Sequence, residues 1–291
     1  MLAFGLGIVQ PPGRHGDGAS AATPRSPVYF RVPTKAKDGV PAPVLVVLHG
    51  MGGKGESTAQ PWIQEAENQG WVVVAPTFNY GDWFDPNAVR ADDLKFSREL
   101  ATILGDLPTT VGRDVAPRAM LFGFSRGAQL AHRFALYYPE RVQAVAAYAA
   151  GTYTLPDSEL ALNGKNVTLD LPFGVADLPR WLGRACNRVQ LASVPFWIGV
   201  GETDNRVEDV PRSWDPYLGQ TRVARAESFH RALERHHVPS ALNKFPGVDH
   251  FLTPEVLANA AGFFEQAPAL SARTSYLSVP DAVLGLLDLA S

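Results

Sequence analysis

The sequence predicts an α/β fold: a doubly wound, mostly parallel sheet with helices on both faces and a small insertion over one edge. Three observations predict it. Short β-branched apolar runs recur along the 291 residues, and segments of helical period separate them. Several of those runs are apolar at nearly every position, as buried parallel strands are. Alternating strands and helices imply parallel pairing through right-handed crossovers.

Residues 1–25 come first. The stretch "LAFGLGIV" resembles the core of a leader, and Ala19-Ser20-Ala21 has the form of a cleavage site. No basic segment precedes that core, and Arg14, His15 and Asp17 interrupt the path to the cleavage site. A trimmed leader and a plain loose arm both fit. The reading leans slightly toward export, with a cytoplasmic chain as the other outcome. Residues 10–25, rich in Pro, Gly, Ser and Ala, read as a flexible arm before one domain spanning 26–291.

Strands are expected in "SPVYFRV", "PVLVVLH", "WVVVAP", "RAMLFGF", "VQAVAAYAA", "VPFWIGV" and "SALNKF". Helices are expected over 58–69, 91–106, 126–138 and 222–237. Asp92 and Asp93 open the second of these, where acids favour a helix N-terminus. Residues 151–193 carry several Pro and Gly and no clear period, so they read as the insertion. The tail "SVPDAVLGLLDLA", at 278–290, reads as an amphipathic helix packed on the core.

Composition narrows the function. The formal net charge is −3 with both signs interspersed, which offers no basic field for nucleic acid. No apolar run is long enough to span a bilayer. A neutral, modest-sized substrate suits this balance. The one cysteine, Cys186, makes an internal disulfide impossible and reads as a small buried hydrophobe.

The chemistry concentrates at "FGFSRGA", residues 122–128. A G-x-S-x-G pattern alone is weak, but here a strand runs in and a helix runs out. That context puts Ser125 on a sharp elbow, with Gly123 and Gly127 leaving room for the turn. A serine nucleophile needs a base. His250, in "GVDHFLTPEV" after the last expected strand, is the best placed of seven histidines. His132 reads as packing or surface; His230, His236 and His237 read as solvated. The base needs an orienting carboxylate, and Asp204 in "IGVGETDNRV" stands at a strand end. Glu202 and Glu208 are its rivals, and Asp249 is too close to His250 in sequence for a clean contact.

A tetrahedral intermediate also needs two donors for its oxyanion. The backbone N–H of Arg126 and of Met51, in "LHGMGGKGES", are the candidates, and His49 reads as a brace for that loop. The same loop fails as a phosphate cradle, because Gly55 follows Lys54 and Leu48 stands where the first glycine belongs. No metal-ligand set is legible: "HExxH" is absent, and the adjacent His236 and His237 face different ways on a helix.

With Ser, Asp and His in that chain order, the sequence resembles the α/β-hydrolases over about residues 27–265. "HGMGG", "GFSRG", "GETD" and "GVDH" carry the resemblance. Within that superfamily it looks closest to esterases grouped with polyhydroxybutyrate depolymerases, feruloyl esterases and dienelactone-hydrolase-like proteins. "ADDLKFSREL" resembles a helix start of the depolymerase-like members, and Arg126 stands where they often carry a small residue. The resemblance implies a carboxylic ester hydrolase working through an acyl-enzyme, with no cofactor. Acyl transfer on the same triad, polyester or feruloyl substrates, and an inactive binding relative are the alternatives. Tyr80, Trp83, Phe84, Phe173 and Trp181 lie in loops where they serve either a substrate pocket or plain packing. Arg126 and Arg206 read as solvated, with recognition of a substrate carboxylate as their other use.

Overall fold

A computed structural model describes residues 26–34 and 39–277, the side chains of 268–277 excepted. The arm at 1–25 and the expected tail helix at 278–290 lie outside the described residues.

Nine strands and nine α-helices alternate along these residues, and the expected fold is found. The first half runs β1 (Val28–Arg31), β2 (Ala42–Leu48), α1 (Gly55–Ala59), α2 (Ile63–Gln69), β3 (Val72–Pro76), α3 (Pro86–Val111), β4 (Val115–Phe124), α4 (Arg126–Tyr137) and β5 (Val142–Tyr148). The second half runs β6 (Glu159–Leu162), β7 (Lys165–Thr168), α5 (Leu178–Leu182), α6 (Arg188–Leu191), β8 (Phe196–Gly201), α7 (Asp215–Leu218), α8 (Arg222–Arg235), β9 (Ser240–Phe245) and α9 (Pro254–Leu277). Seven strands form one sheet in the order β1-β3-β2-β4-β5-β8-β9. Only β1 pairs antiparallel, against β3.

That order places the site. From β2 the chain steps to β3 on one side, then returns across β2 to β4 and continues the other way. The reversal lies between β2 and β4, and open sheets of this kind bind ligands at such a point, outside the carboxyl ends of the strands. Leu48 pairs with Gly123 across the two strands, so both end level with each other. The loop after β2 and the turn after β4 therefore open side by side.

Each strand feeds two cores. Val44, Val46 and Leu48 pack on one face with Phe96, Phe134 and Phe229; Leu45 and Val47 pack on the other with Trp62, Trp71 and Phe264. Period-two alternation thus buries both faces, each Val or Leu contributing on the order of 1.5–3 kcal/mol. Residues 151–193 hold the β6–β7 hairpin, α5 and α6, and their Leu169, Leu171, Val175 and Leu178 join the first core.

Two helix boundaries correct the sequence reading. The segment 58–69 is not one helix, because Pro61, which has no N–H, sits in a short 3-10 turn (Gln60–Trp62) between α1 and α2. Helix α3 begins at Pro86 rather than near 91: Asp85 caps it, accepting from the Asn87 N–H at 2.9 Å. Asp92 and Asp93 consequently lie beyond the first turn, and Asp93 is fully buried.

Candidate active site

At the end of β4, Ser125 has φ 55° and ψ −114°, a backbone region that costs a non-glycine residue about 1–3 kcal/mol. The surroundings enforce it. Its N–H donates to the Tyr148 carbonyl at 2.9 Å, and its own carbonyl accepts from Ala128 and Gln129 as α4 begins. A methyl group at Gly127 would come within 2.1 Å of the Leu48 carbonyl oxygen, and one at Gly123 within 2.4 Å of the Gly127 carbonyl oxygen. Only glycine allows strand and helix to approach so closely.

Three side chains meet at this elbow. His250 Nε2 lies 2.9 Å from Ser125 Oγ, and His250 Nδ1 lies 2.7 Å from Asp204 Oδ2. A carboxylate accepts, so Nδ1 carries the proton and Nε2 is left to receive one. The ends of β8 and β9 bring Asp204 and His250 together. Thr203 N–H donates to the Val248 carbonyl at 3.1 Å, and the chain after β9 crosses so close to Gly201 that a methyl group there would stand 2.2 Å from the same oxygen. Asp204 is 0% exposed, whereas its rivals Glu202 and Glu208 are exposed. Asp249 instead accepts from the His250 N–H at 2.8 Å and pairs with Arg206 at 2.6 Å. The Tyr148 hydroxyl donates to the Phe251 carbonyl at 3.2 Å, tying down the histidine's loop.

The loop after β2 closes the other side. A methyl group at Gly50 would reach the Ser125 Cβ at 3.3 Å, so this turn rests against the serine. The Gly50 carbonyl accepts from Gly53 N–H at 3.1 Å and from His49 Nδ1 at 2.7 Å. In a trans peptide the N–H points opposite to the carbonyl, which turns the Met51 N–H away from both donors. Arg126 is the first residue of α4, where a backbone N–H has no partner within the helix. His49 Nε2 accepts from the Phe78 N–H at 2.9 Å, so the ring holds its Nδ1 proton, and burial keeps its pKa below the ordinary value.

Arg126 corrects the sequence reading. It is not solvated but 1% exposed, with Nη1 2.7 Å from Asp93 and its guanidinium 4.6 Å above the Tyr80 ring. Asp93 also takes Arg133 Nη1 at 2.8 Å. Arg206 is exposed, as expected, and bonds both Asp209 and Asp249. Two histidines also differ from expectation. His236 is half-buried against Asp157 at 2.8 Å, and His230 bonds Ser240 at 2.9 Å, while His237 is exposed. His132 is fully buried: Nε2 accepts from Thr154 N–H at 3.0 Å and Nδ1 donates to the Ala128 carbonyl at 2.9 Å.

Tyr80 is 8% exposed and packs on His49, Phe78 and Phe96. Trp83 and Phe84 pack with tilted rings whose centroids lie 4.0 Å apart, and Phe84 is exposed. Trp181 is half-buried between Arg90 and Arg180, its Nε1 donating to Asp177 at 2.6 Å. Phe173 packs on Trp214 and Tyr217. Cys186 is half-buried, and burial pushes its thiol up to about 11. Among the described residues no three His, Cys, Asp or Glu side chains gather as a metal site, and no helix is long and apolar enough to cross a membrane.

Sequence reasoning missed three buried ion pairs beside this site, Asp93 with Arg126 and with Arg133, and Asp204 with Arg222. A signal was present. The buried positions of α8 are 222, 225, 226, 229, 232 and 233, a helical stripe that carries two arginines among apolar residues. A charge on such a stripe must have a buried partner.

Residues 32–174 match the family model described as phospholipase/carboxylesterase. Solved structures share the fold at low identity. Poly(aspartic acid) hydrolase-1 from Sphingomonas sp. KT-1 is 23% identical, with a TM-score of 0.61 over 81% of this chain and 91% of that one. A Bacillus cereus carboxylesterase is 16% identical, with 0.56 over 83% and 94%. An S-formylglutathione hydrolase from Agrobacterium tumefaciens is 19% identical, with 0.51 over 83% and 88%. No curated protein matches the sequence. The chain has the α/β-hydrolase fold, and with the family match it is an ester hydrolase.

Proposed function

We propose that this ester hydrolase cleaves small uncharged carboxylic esters through an acyl-enzyme on Ser125, with His250 as base and Asp204 as its orienting acid. The observation that carries the reading is the relay Ser125 Oγ, His250 Nε2, His250 Nδ1, Asp204 Oδ2, with bonds of 2.9 and 2.7 Å, built on a strained elbow.

Ser125 Oγ attacks the ester carbonyl carbon while its proton passes to His250 Nε2. The imidazolium so formed faces Asp204 through Nδ1. The carbonyl oxygen becomes an oxyanion, held by the N–H groups of Arg126 and Met51. When the carbon–oxygen bond to the alcohol breaks, His250 returns the proton to the departing oxygen. Water then adds to the acyl group, again losing a proton to His250, and the acid leaves as Ser125 recovers its hydrogen.

Charge supports an uncharged substrate. Arg126 is bound to Asp93, Arg222 to Asp204, and Arg206 to Asp209 and Asp249. Each of these arginines near the site is already paired, which disfavours recognition of a substrate carboxylate. Exposure supports water as acceptor over a second alcohol, since Ser125 and His250 are both partly open to solvent. The likeness of "HGMGG" and "ADDLKFSREL" to the polyhydroxybutyrate depolymerase and feruloyl esterase group supports polyester or aryl esters as natural substrates. Tyr80, Trp83, Phe84 and Trp181 are proposed around the substrate channel. A single domain over 26–291 that carries 151–193 as an insertion belongs to the same reading.

The test is hydrolysis of p-nitrophenyl esters from acetate to palmitate, wild type beside Ser125→Ala. Activity lost in the variant, with its fold intact by circular dichroism, supports the nucleophile. The chain-length optimum then sizes the acyl pocket. A folded wild type inert on every ester would sink the reading.

A further inference from the structure

One buried arginine touches the relay and has no place in the reaction as written. Arg222, the first residue of α8, is 5% exposed, and its Nη1 donates to Asp204 Oδ1 at 2.6 Å. Asp204 is thus shared, one oxygen with an arginine and the other with His250 Nδ1 at 2.7 Å. Arg222 is itself held in place: Nη2 donates to the Asp209 carbonyl at 2.9 Å, and Thr221 caps the helix by accepting from Ala224 N–H.

We infer that Arg222 is a positioning residue of the relay, clamping the Asp204 carboxylate toward His250. The inference rests on the proposed roles of Ser125, His250 and Asp204. A carboxylate held at both oxygens cannot rotate away from the imidazole, so the Nδ1 bond keeps its direction through the cycle.

The other charged and titratable groups around the relay leave Arg222 as the cation in direct contact with it. From the chain after β8, Asp209 lies 3.8 Å from Arg222, and Arg206 is bound to Asp249 beside His250. From β5 and the segment after it come Tyr148 and Tyr153, whose hydroxyls burial holds well above the ordinary range. The face of His250 toward β4 meets the Phe124 ring at 5.1 Å.

Three variants separate charge from hydrogen bond: Arg222→Lys keeps the charge, Arg222→Gln keeps a donor without charge, and Arg222→Met removes both. The readout is kcat and KM on a p-nitrophenyl ester, taken separately, with urea unfolding alongside. Met should lose about 10- to 100-fold in kcat with KM unchanged, because Arg222 does not reach substrate, and Gln should lose less. Lys, which can still bind Asp204, should recover most of the wild-type kcat. If Met does not fold, Gln against Lys carries the comparison. Equal kcat across the folded variants overturns the inference, because a merely structural arginine would lower stability and leave kcat in place. Ser125→Ala, run alongside, separates the failures. If that variant stays active the triad itself is wrong, and if it is dead while kcat is equal across the Arg222 variants only the role of Arg222 falls.

Discussion

Asp93 and Asp204 are both 0% exposed, and each carboxylate is shared between two donors, yet they are built for opposite ends. Asp93 lies on α3 and binds Arg126 at 2.7 Å and Arg133 at 2.8 Å, two cations that cannot release a proton. Asp204 binds one arginine and one histidine, and the histidine's far nitrogen faces Ser125. His132, next to Arg133 in the chain, is spoken for by Thr154 and Ala128 and stays neutral. Swapping one arginine for a histidine at a half-open edge turns a fixed clamp into a relay. The two clusters also meet, because Arg126 follows Ser125: its backbone starts α4 beside the serine while its side chain bolts that helix to α3.

The sharpest way to break the comparison is to keep the shape of the Asp204 carboxylate and remove its charge. Asp204→Asn should cost about four orders of magnitude in kcat, because an amide can donate to His250 and present the wrong tautomer to Ser125. The variant should remain folded, and its kcat against wild type on one ester at one pH decides. Less than a tenfold loss would mean that Asp204 does not orient the base.

Asp93→Ala comes next. It leaves two arginines, 1% and 0% exposed, without their shared counter-charge, and breaking a buried pair in this way costs about 3–5 kcal/mol. Urea unfolding measures it through the midpoint at unchanged slope. A loss below 1 kcal/mol would mean that water or Asp92, 4.0 Å from Arg126, compensates the charge. Such a result would make the first cluster as adaptable as the second.

These two carboxylates also show what could be read in advance. The sheet and the elbow were legible because they rest on local pattern: apolar runs at 44–48 and 72–76, and glycines flanking Ser125. Asp204 could be picked out as well, since it follows a strand end directly. Asp93 was misplaced because the pair Asp92-Asp93 has the composition of a helix start, and the true start depended on Pro86 with its cap at Asp85. Arg126 reads as solvated and Arg222 draws no reading of its own, because their partners lie 33 and 18 positions away. Long-range pairing of that kind leaves one local trace, a charged residue on an otherwise apolar helical stripe.

The smallest predicted effect tests the neutrality of the first cluster. Burial, and then the Arg133 charge, hold His132 well below its ordinary pKa of 6.5. The sign follows from where protons bind. Above about pH 6.5 the ring is neutral folded and unfolded, so it adds no slope. Below that, the unfolded chain takes a proton that the native ring refuses, and stability falls as pH falls toward the native value. One such histidine contributes about 1.4 kcal/mol per pH unit in that window. His49, lowered by burial as well, adds a slope of the same sign. In His132→Gln the amide can still accept from Thr154, and the variant should lose one of those slopes while keeping the other. Unfolding free energies at pH 7, 6 and 5 for the two proteins give the difference directly, because every other titrating group cancels between them. Parallel curves would mean that His132 protonates inside the native fold. Asp93 would then be the nearest carboxylate able to support the charge, and the contrast between a fixed clamp and a relay would be one of exposure alone.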